Sequence, residues 1–192
     1  MASFRAEAVQ RLIYEFPTTF AALDSTVDYS RIEKPESVTV EFFGAIGLAH
    51  QFNIPQILPC AFYGCCYHLT FRQICQPEGS QRPFLSCEDV QTCMVGWQKL
   101  VEQQARDTFA WLNSACTSEK SDVCNAARKK LRQHFAPLPA CKALDPWQPW
   151  QQGLCKDCAA DAKVSHEAGR KKIWDKLPLF FGLPSWAQLL RE

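Results

Sequence analysis

Two pairs of cysteines constrain the fold of this chain more than any other sequence feature. Cys116 and Cys124 are separated by seven residues, and Cys155 and Cys158 form a C-x-x-C pair thirty residues further on. Four thiolates can enclose one tetrahedral zinc ion, although the usual spacing inside a pair is about two to four residues. The pattern predicts one structural zinc ion per chain, bound by these four cysteines.

Three other interpretations of these cysteines stay open at the level of the sequence. They could be ordinary reduced thiols, or one of the four could be replaced as a ligand by Cys141, His134 or His166. The C-x-x-C pair could also be a redox pair like that of thioredoxin-like proteins. A redox pair of that kind accompanies a βαβ pattern, which the sequence does not show.

The number and context of the cysteines indicate a reducing compartment. The chain has 11 cysteines, no Asn-x-Ser/Thr acceptor site and no apolar signal-peptide core near Met1. Disulfide-rich secreted domains show the opposite features. We therefore predict a cytoplasmic or nuclear protein. A further group of cysteines is predicted to pack in the core as small apolar residues: Cys60, Cys65, Cys66, Cys75, Cys87 and Cys93.

The composition is that of a folded domain and excludes several function classes. Hydrophobic residues make up 47% of the 192 residues, which is enough to bury a core. The formal charge of +1 argues against broad binding to nucleic acid or to an anionic membrane. No apolar run reaches the roughly 20 residues that a membrane-spanning helix needs.

Hydrophobic periodicity predicts an all-α fold, because no segment alternates long enough to predict a strand. We expect a helical bundle lobe over 1–113 and a smaller zinc-stapled lobe over 114–192, with an irregular connection at 136–153. The main helices are predicted over 4–16, 37–52, 56–74, 86–112, 122–134 and 158–174, with inward-facing residues that include Phe43, Ile46, Leu48 and Ala49.

The C-terminal segment from Trp174 to Leu190 is too apolar to be an ordinary surface tail. It contains two Leu-Pro pairs and a short helical pattern after Pro184. We predict that it folds back into the core. The alternative is an exposed apolar patch that docks a partner.

Two short basic clusters lie near the proposed zinc site, at 128–132 and 170–172. Such clusters could contact the phosphates of DNA or RNA. The near-neutral total charge favours the simpler interpretation, in which both are solvated helix faces.

The sequence carries no recognisable catalytic motif. It has no Gly-x-Ser-x-Gly elbow, phosphate-binding loop or dinucleotide fingerprint. His50 and His68 lie in apolar helical patterns, where histidines are more often hydrogen-bonded core or boundary residues than catalysts. We therefore predict that the protein is not an enzyme.

Several short segments resemble the helical region that follows the BTB/POZ domain in proteins of mushroom-forming fungi. The resemblance covers nearly the whole chain, including the paired cysteines, Cys93, Gly96 and the segments 5–9, 16–20, 48–50, 57–63, 85–89, 174–178 and 181–186. It implies a non-enzymatic intracellular module that binds a protein partner.

Of the BTB fold itself, we expect this chain to contain only the apparent last helix, at 4–16. Dimerisation and ubiquitin-ligase adaptor roles are therefore not carried over. The alternative function is a zinc-dependent nucleic-acid-binding or transcription-associated protein.

Overall fold

The protein is all-α, as predicted. The computed structural model describes residues 2–25, 38–76, 85–117, 119, 121–134, 140–147 and 153–191, and this part of the chain contains no strand. The helices are α1 (Ala2–Glu15), α2 (Phe20–Ser25), α3 (Val38–Phe52), α4 (Leu58–His68), α5 (Phe71–Cys75), α6 (Cys87–Arg106), α7 (Ser121–His134), α8 (Lys156–Phe180) and α9 (Trp186–Leu189). The 3-10 turn Pro55–Ile57 precedes α4, and the 3-10 turn Ala110–Asn113 follows α6. None of the described helices is long and apolar enough to cross a membrane.

The predicted helix at 56–74 is in fact two helices, α4 and α5, separated by Leu69 and Thr70. Thr70 caps α5: its side-chain oxygen accepts from the backbone N–H of Gln73 at 3.3 Å, and its own N–H donates to the Gln73 side chain at 2.9 Å. This capping box starts a new helix inside an otherwise continuous apolar pattern.

Helices α6 and α8 also differ from the predicted ranges. Helix α6 ends at Arg106 rather than 112. Helix α8 begins at Lys156 and continues to Phe180 through Pro178. The loss of one backbone hydrogen bond at a proline is tolerated here because Leu177 and Phe180, on either side of it, are buried.

The chain divides into two compact units. Unit 1 comprises Met1–Trp97 together with Lys176–Glu192, and unit 2 comprises Gln98–Asp175. These units do not coincide with the predicted lobes, 1–113 and 114–192, chiefly because the C-terminal segment groups with the N-terminal elements.

The core of unit 1 is built around α4, whose residues from Leu58 to Cys66 are all buried. Helix α3 presents Phe42, Phe43, Ile46 and Ala49 to the interior. Leu48 was predicted to face inward but is 40% exposed. The reason is geometric: at 3.6 residues per turn, position 48 lies on the side of the helix opposite to that buried stripe.

The C-terminal segment is part of the unit 1 core, which confirms the prediction that it folds back. Leu177, Phe180, Phe181 and Leu189 are buried. The ring of Phe181 stacks on that of Phe62, with centroids 5.4 Å apart.

Four of the six cysteines predicted to pack in the core are buried in unit 1: Cys60, Cys65, Cys66 and Cys93. The prediction is wrong for the other two. Cys75 is the last residue of α5 and Cys87 is the first residue of α6, and both are exposed at these helix ends.

Unit 2 has an aromatic core, formed by Phe109, Trp111, Leu112, Trp147 and Ala162. The segment 140–147 passes through it without regular structure, which confirms the predicted irregular connection over these residues. The remainder of 136–153 lies outside the described residues, except for Gly153.

Buried side chains of unit 2 satisfy the backbone of this irregular segment. Gln104 donates to the carbonyl of Ala140 at 2.8 Å and accepts from the N–H of Lys142 at 2.8 Å. The Thr108 hydroxyl donates to the carbonyl of Ala143 at 2.7 Å. Such partners are required because an unpaired buried backbone group costs about as much as a lost hydrogen bond.

The close approach of α3 and α4 is open to a direct test. A Cβ added at Gly64 would overlap the ring of Phe42, whereas a Cβ at Gly47 would meet nothing within 4 Å. We expect Gly64→Ala to lower the free energy of unfolding by about 1–3 kcal/mol through overpacking. Gly47→Ala, the matched control on α3, should raise it by up to about 1 kcal/mol through helix propensity. Urea unfolding of both variants measures this, and equal effects would contradict the packing described.

Candidate metal centre

The sulfur atoms of Cys116, Cys124, Cys155 and Cys158 all lie within 4.8 Å of one another. They come from three segments of unit 2. Cys116 follows the 3-10 turn Ala110–Asn113, Cys124 lies in the first turn of α7, and the C-x-x-C pair lies at the start of α8. The fold therefore brings together the four residues that the spacing singled out.

This geometry fits a tetrahedral metal ion. A Zn–S bond of about 2.3 Å implies about 3.8 Å between neighbouring sulfurs of a tetrahedron. The four sulfur atoms lie no more than 4.8 Å apart, which is close to this spacing. Four protein ligands complete a tetrahedral sphere, so the cluster could hold a metal ion without leaving a position for water.

The ends of two helices favour negative charge at the cluster. Cys155 immediately precedes α8, and its carbonyl accepts from the N–H of Ala159 at 2.9 Å, as the first bond of that helix. Cys158 and Cys124 lie in the first turns of α8 and α7. The positive end of a helix dipole stabilises a thiolate at such positions.

Without a cation, burial and the neighbouring sulfurs disfavour ionisation of Cys158 and Cys124. Burial, together with the neighbouring thiols of Cys116 and Cys155, raises the pKa of Cys158 to about 12, although Arg128 acts in the opposite direction. The pKa of Cys124 is also raised: the N–H of Cys155 lowers it, but burial and contacts with Cys155 and Cys116 outweigh this. A bound divalent cation would lower the pKa of these thiols, because it stabilises the thiolates directly.

Two groups with N–H donors lie beside sulfur atoms of the cluster. The backbone N–H of Cys155 donates to Cys124 Sγ at 3.2 Å. The guanidinium of Arg128 lies close enough to the Cys158 thiol to lower its pKa, against the larger effect of burial. Sequence reasoning placed Arg128 in a basic cluster and missed this contact. Its signal was the spacing of four residues from Cys124, which puts both side chains on one face of α7.

The alternative ligands Cys141 and His166 lie outside the cluster. Cys141 is buried, and burial raises its pKa to about 12. Both ring nitrogens of His166 are occupied: Nδ1 accepts from Trp111 Nε1 at 3.3 Å, and Nε2 donates to the carbonyl of Asp145 at 2.8 Å. The third alternative, the side chain of His134, lies outside the described residues.

The prediction that both basic clusters are solvated helix faces is only partly right. Arg128 and Arg170 are each only 3% exposed. Arg170 pairs with Glu167 and donates to the carbonyl of Leu144 at 3.0 Å. Lys129 and Lys130 are exposed, in agreement with the prediction.

His50 and His68 are both exposed, each beside a local partner, so the prediction of core or boundary positions is wrong. His50 Nε2 lies 2.9 Å from Asp89 Oδ1, and the Ser86 hydroxyl donates to the other oxygen of Asp89 at 2.7 Å. Because the carboxylate stands between the serine and the histidine, this is not a nucleophile–base pair. The ring of His68 stacks on that of Phe42, with centroids 5.6 Å apart.

Comparison of the chain with models of known protein families, with curated proteins and with solved structures found no match. The resemblance to the region after fungal BTB domains stays a prediction from the motifs.

Protonation of His166 should destabilise unit 2 in acid. Burial lowers the pKa of His166 below its ordinary value of 6.5. The unfolded chain therefore takes up this proton more readily than the folded chain. The stabilisation from the neutral ring is complete above about pH 6.5 and is lost as the pH falls through the folded-state pKa.

We expect the difference in the free energy of unfolding between the wild type and His166→Gln to depend on pH. Both proteins are loaded with metal, so that proton uptake by the cysteines affects them equally. We expect the wild type to be more stable by about 1–3 kcal/mol at pH 7.5, because the variant loses buried hydrogen bonds. The advantage should shrink towards pH 5. Urea unfolding at several pH values measures it. A difference that does not change with pH would contradict the account.

Proposed function

We propose that this chain is a non-enzymatic protein-interaction module stabilised by one structural zinc ion. The observation that supports it most directly is the cluster of four cysteine sulfurs within 4.8 Å of one another. A site with four protein ligands fits a structural role, since a catalytic zinc keeps one position for water or substrate.

Zinc is the metal that this ligand set favours. Soft thiolates in a tetrahedral arrangement select zinc or iron among the common metals. Zinc has no redox chemistry and no geometric preference of its own, which suits a centre whose task is to join segments of the chain. Iron is the alternative, and elemental analysis separates the two.

The proposed ion would contribute directly to folding. It would join the segment after the 3-10 turn to the first turns of α7 and α8, and thirty residues separate Cys124 from Cys155 in the sequence. Ligands of this kind are rarely preformed in an unfolded chain, so the free energy of binding becomes free energy of folding. Unit 2, with its irregular buried segment 140–147, is where we expect this contribution to matter.

The proposal of a protein partner is based on the resemblance to the region after BTB domains, as is the cytoplasmic or nuclear location. The alternative, a nucleic-acid-binding protein, needs exposed cations. Lys129 and Lys130 are exposed on α7, but Arg128 and Arg170 are buried and are not available to phosphates. The structure therefore gives less support to this alternative.

The zinc proposal is tested by the metal content of protein purified without added metal and by thermal unfolding with a chelator. We expect about one zinc per chain and a large loss of stability on chelation. Cys158→Ser should lose the metal, whereas Cys75→Ser, which changes an exposed thiol at the end of α5, should keep it. Metal-free wild type with no response to chelator would contradict the proposal, and one iron per chain would overturn the assignment of the metal.

The choice between a protein partner and nucleic acid is tested by fluorescence anisotropy. Labelled duplex DNA and single-stranded RNA are titrated with the protein at about 50 and 200 mM salt. Binding through phosphate contacts would weaken steeply over this range. We expect no such binding, and we expect nuclease treatment to leave protein partners attached in a pull-down. Salt-sensitive binding that is abolished by Lys129→Glu together with Lys130→Glu would favour the alternative.

A further inference from the structure

Arg128 is a buried cation beside the cysteine cluster. It lies on α7, four residues after Cys124, and the residue is only 3% exposed. Its guanidinium acts on the thiol of Cys158, and its Nε and Nη1 have no hydrogen-bond partner among the described residues. A buried guanidinium with two unpaired nitrogens is costly unless negative charge lies beside it.

The other buried polar side chains of unit 2 show how different this residue is. Gln104, Thr108 and His166 each pair with the backbone of the segment 140–147. Arg170 is as deeply buried as Arg128, yet it has Glu167 as a counter-ion and the carbonyl of Leu144 as an acceptor. Arg128 has the sulfur of Cys158 instead.

The charge of a metal-loaded centre would provide what Arg128 lacks. Four thiolates around one divalent ion carry a net charge of about −2, which is expensive to bury without compensation. The N–H of Cys155 already donates to Cys124 Sγ at 3.2 Å. The guanidinium of Arg128 would add a full positive charge and further N–H donors, since its Nε and Nη1 are unpaired among the described residues.

We propose that Arg128 is a positioning residue of the metal centre, which donates to the Cys158 thiolate, offsets part of the negative charge and thereby slows the release of the metal. This inference rests on the proposed structural metal site. Outer partners of this kind orient the ligands, and their loss typically costs about 10–100-fold in metal affinity.

The test compares Arg128→Met with Lys129→Met, both loaded with zinc. The two substitutions remove the same charge from adjacent positions of α7, but Lys129 is exposed. Transfer of zinc to an excess of a chromophoric chelator gives the release rate. If the association rate is unchanged, we expect Arg128→Met to release zinc about 10–100-fold faster than the wild type, and Lys129→Met to release it at the wild-type rate.

A second readout separates a direct contact with sulfur from a general loss of packing. In protein loaded with cobalt(II), the sulfur-to-metal charge-transfer band should move to lower energy in Arg128→Met, because a thiolate that loses an N–H donor is a better electron donor. If Arg128→Met does not fold, Arg128→Lys replaces it. Its ammonium keeps the charge but lacks the planar fork, so we expect an intermediate release rate and a smaller band shift.

Equal release rates for Arg128→Met and Lys129→Met, or an unchanged cobalt band in the Arg128 variants, would overturn this inference while leaving the structural metal site intact. Wild-type protein that binds neither zinc nor cobalt would instead overturn the proposed function.

Discussion

The fold brings four cysteine sulfurs from three segments of unit 2 within 4.8 Å of one another, and thirty residues separate the two pairs in the sequence. Neighbouring thiols at this distance resist ionisation, and burial raises the pKa of Cys158 to about 12. A soft divalent cation removes this conflict, since it needs the same four sulfurs as thiolates. The arrangement could therefore hold a metal ion, and the N-terminal ends of α7 and α8 also favour negative charge on its sulfurs.

The rest of unit 2 shows how a small helical unit accommodates an irregular buried segment. The backbone at 140–147 has no helix to satisfy it, so Gln104, Thr108 and His166 bond to its carbonyl groups. Each of these partners projects from α6, from the turn that follows it or from α8. Unit 1 is different, because its core is formed by apolar packing around α4 and by the C-terminal segment.

Local signals in the sequence predicted much of this structure. They failed where contacts between residues distant in the sequence determine a helix end or the surroundings of a side chain. The cysteine spacing identified the cluster because the four residues form two pairs, each close in the sequence. Pro17 correctly predicted the end of α1. The proline at 178 did not end α8, since the burial of Leu177 and Phe180 outweighs one lost hydrogen bond. The contact of Arg128 was not predictable from charge patterning. A guanidinium on a basic helix is normally solvated, and only the fold shows that this one faces sulfur.

X-ray absorption at the zinc edge of protein purified without added metal tests the central claim most directly. This measurement gives the identity, the number and the distance of the atoms bound to the metal. The account predicts four sulfur neighbours at about 2.3 Å and no nitrogen or oxygen ligand. A first shell with fewer than four sulfurs, completed by imidazole or water, would contradict the assignment of Cys116, Cys124, Cys155 and Cys158 as the ligands of a closed structural site.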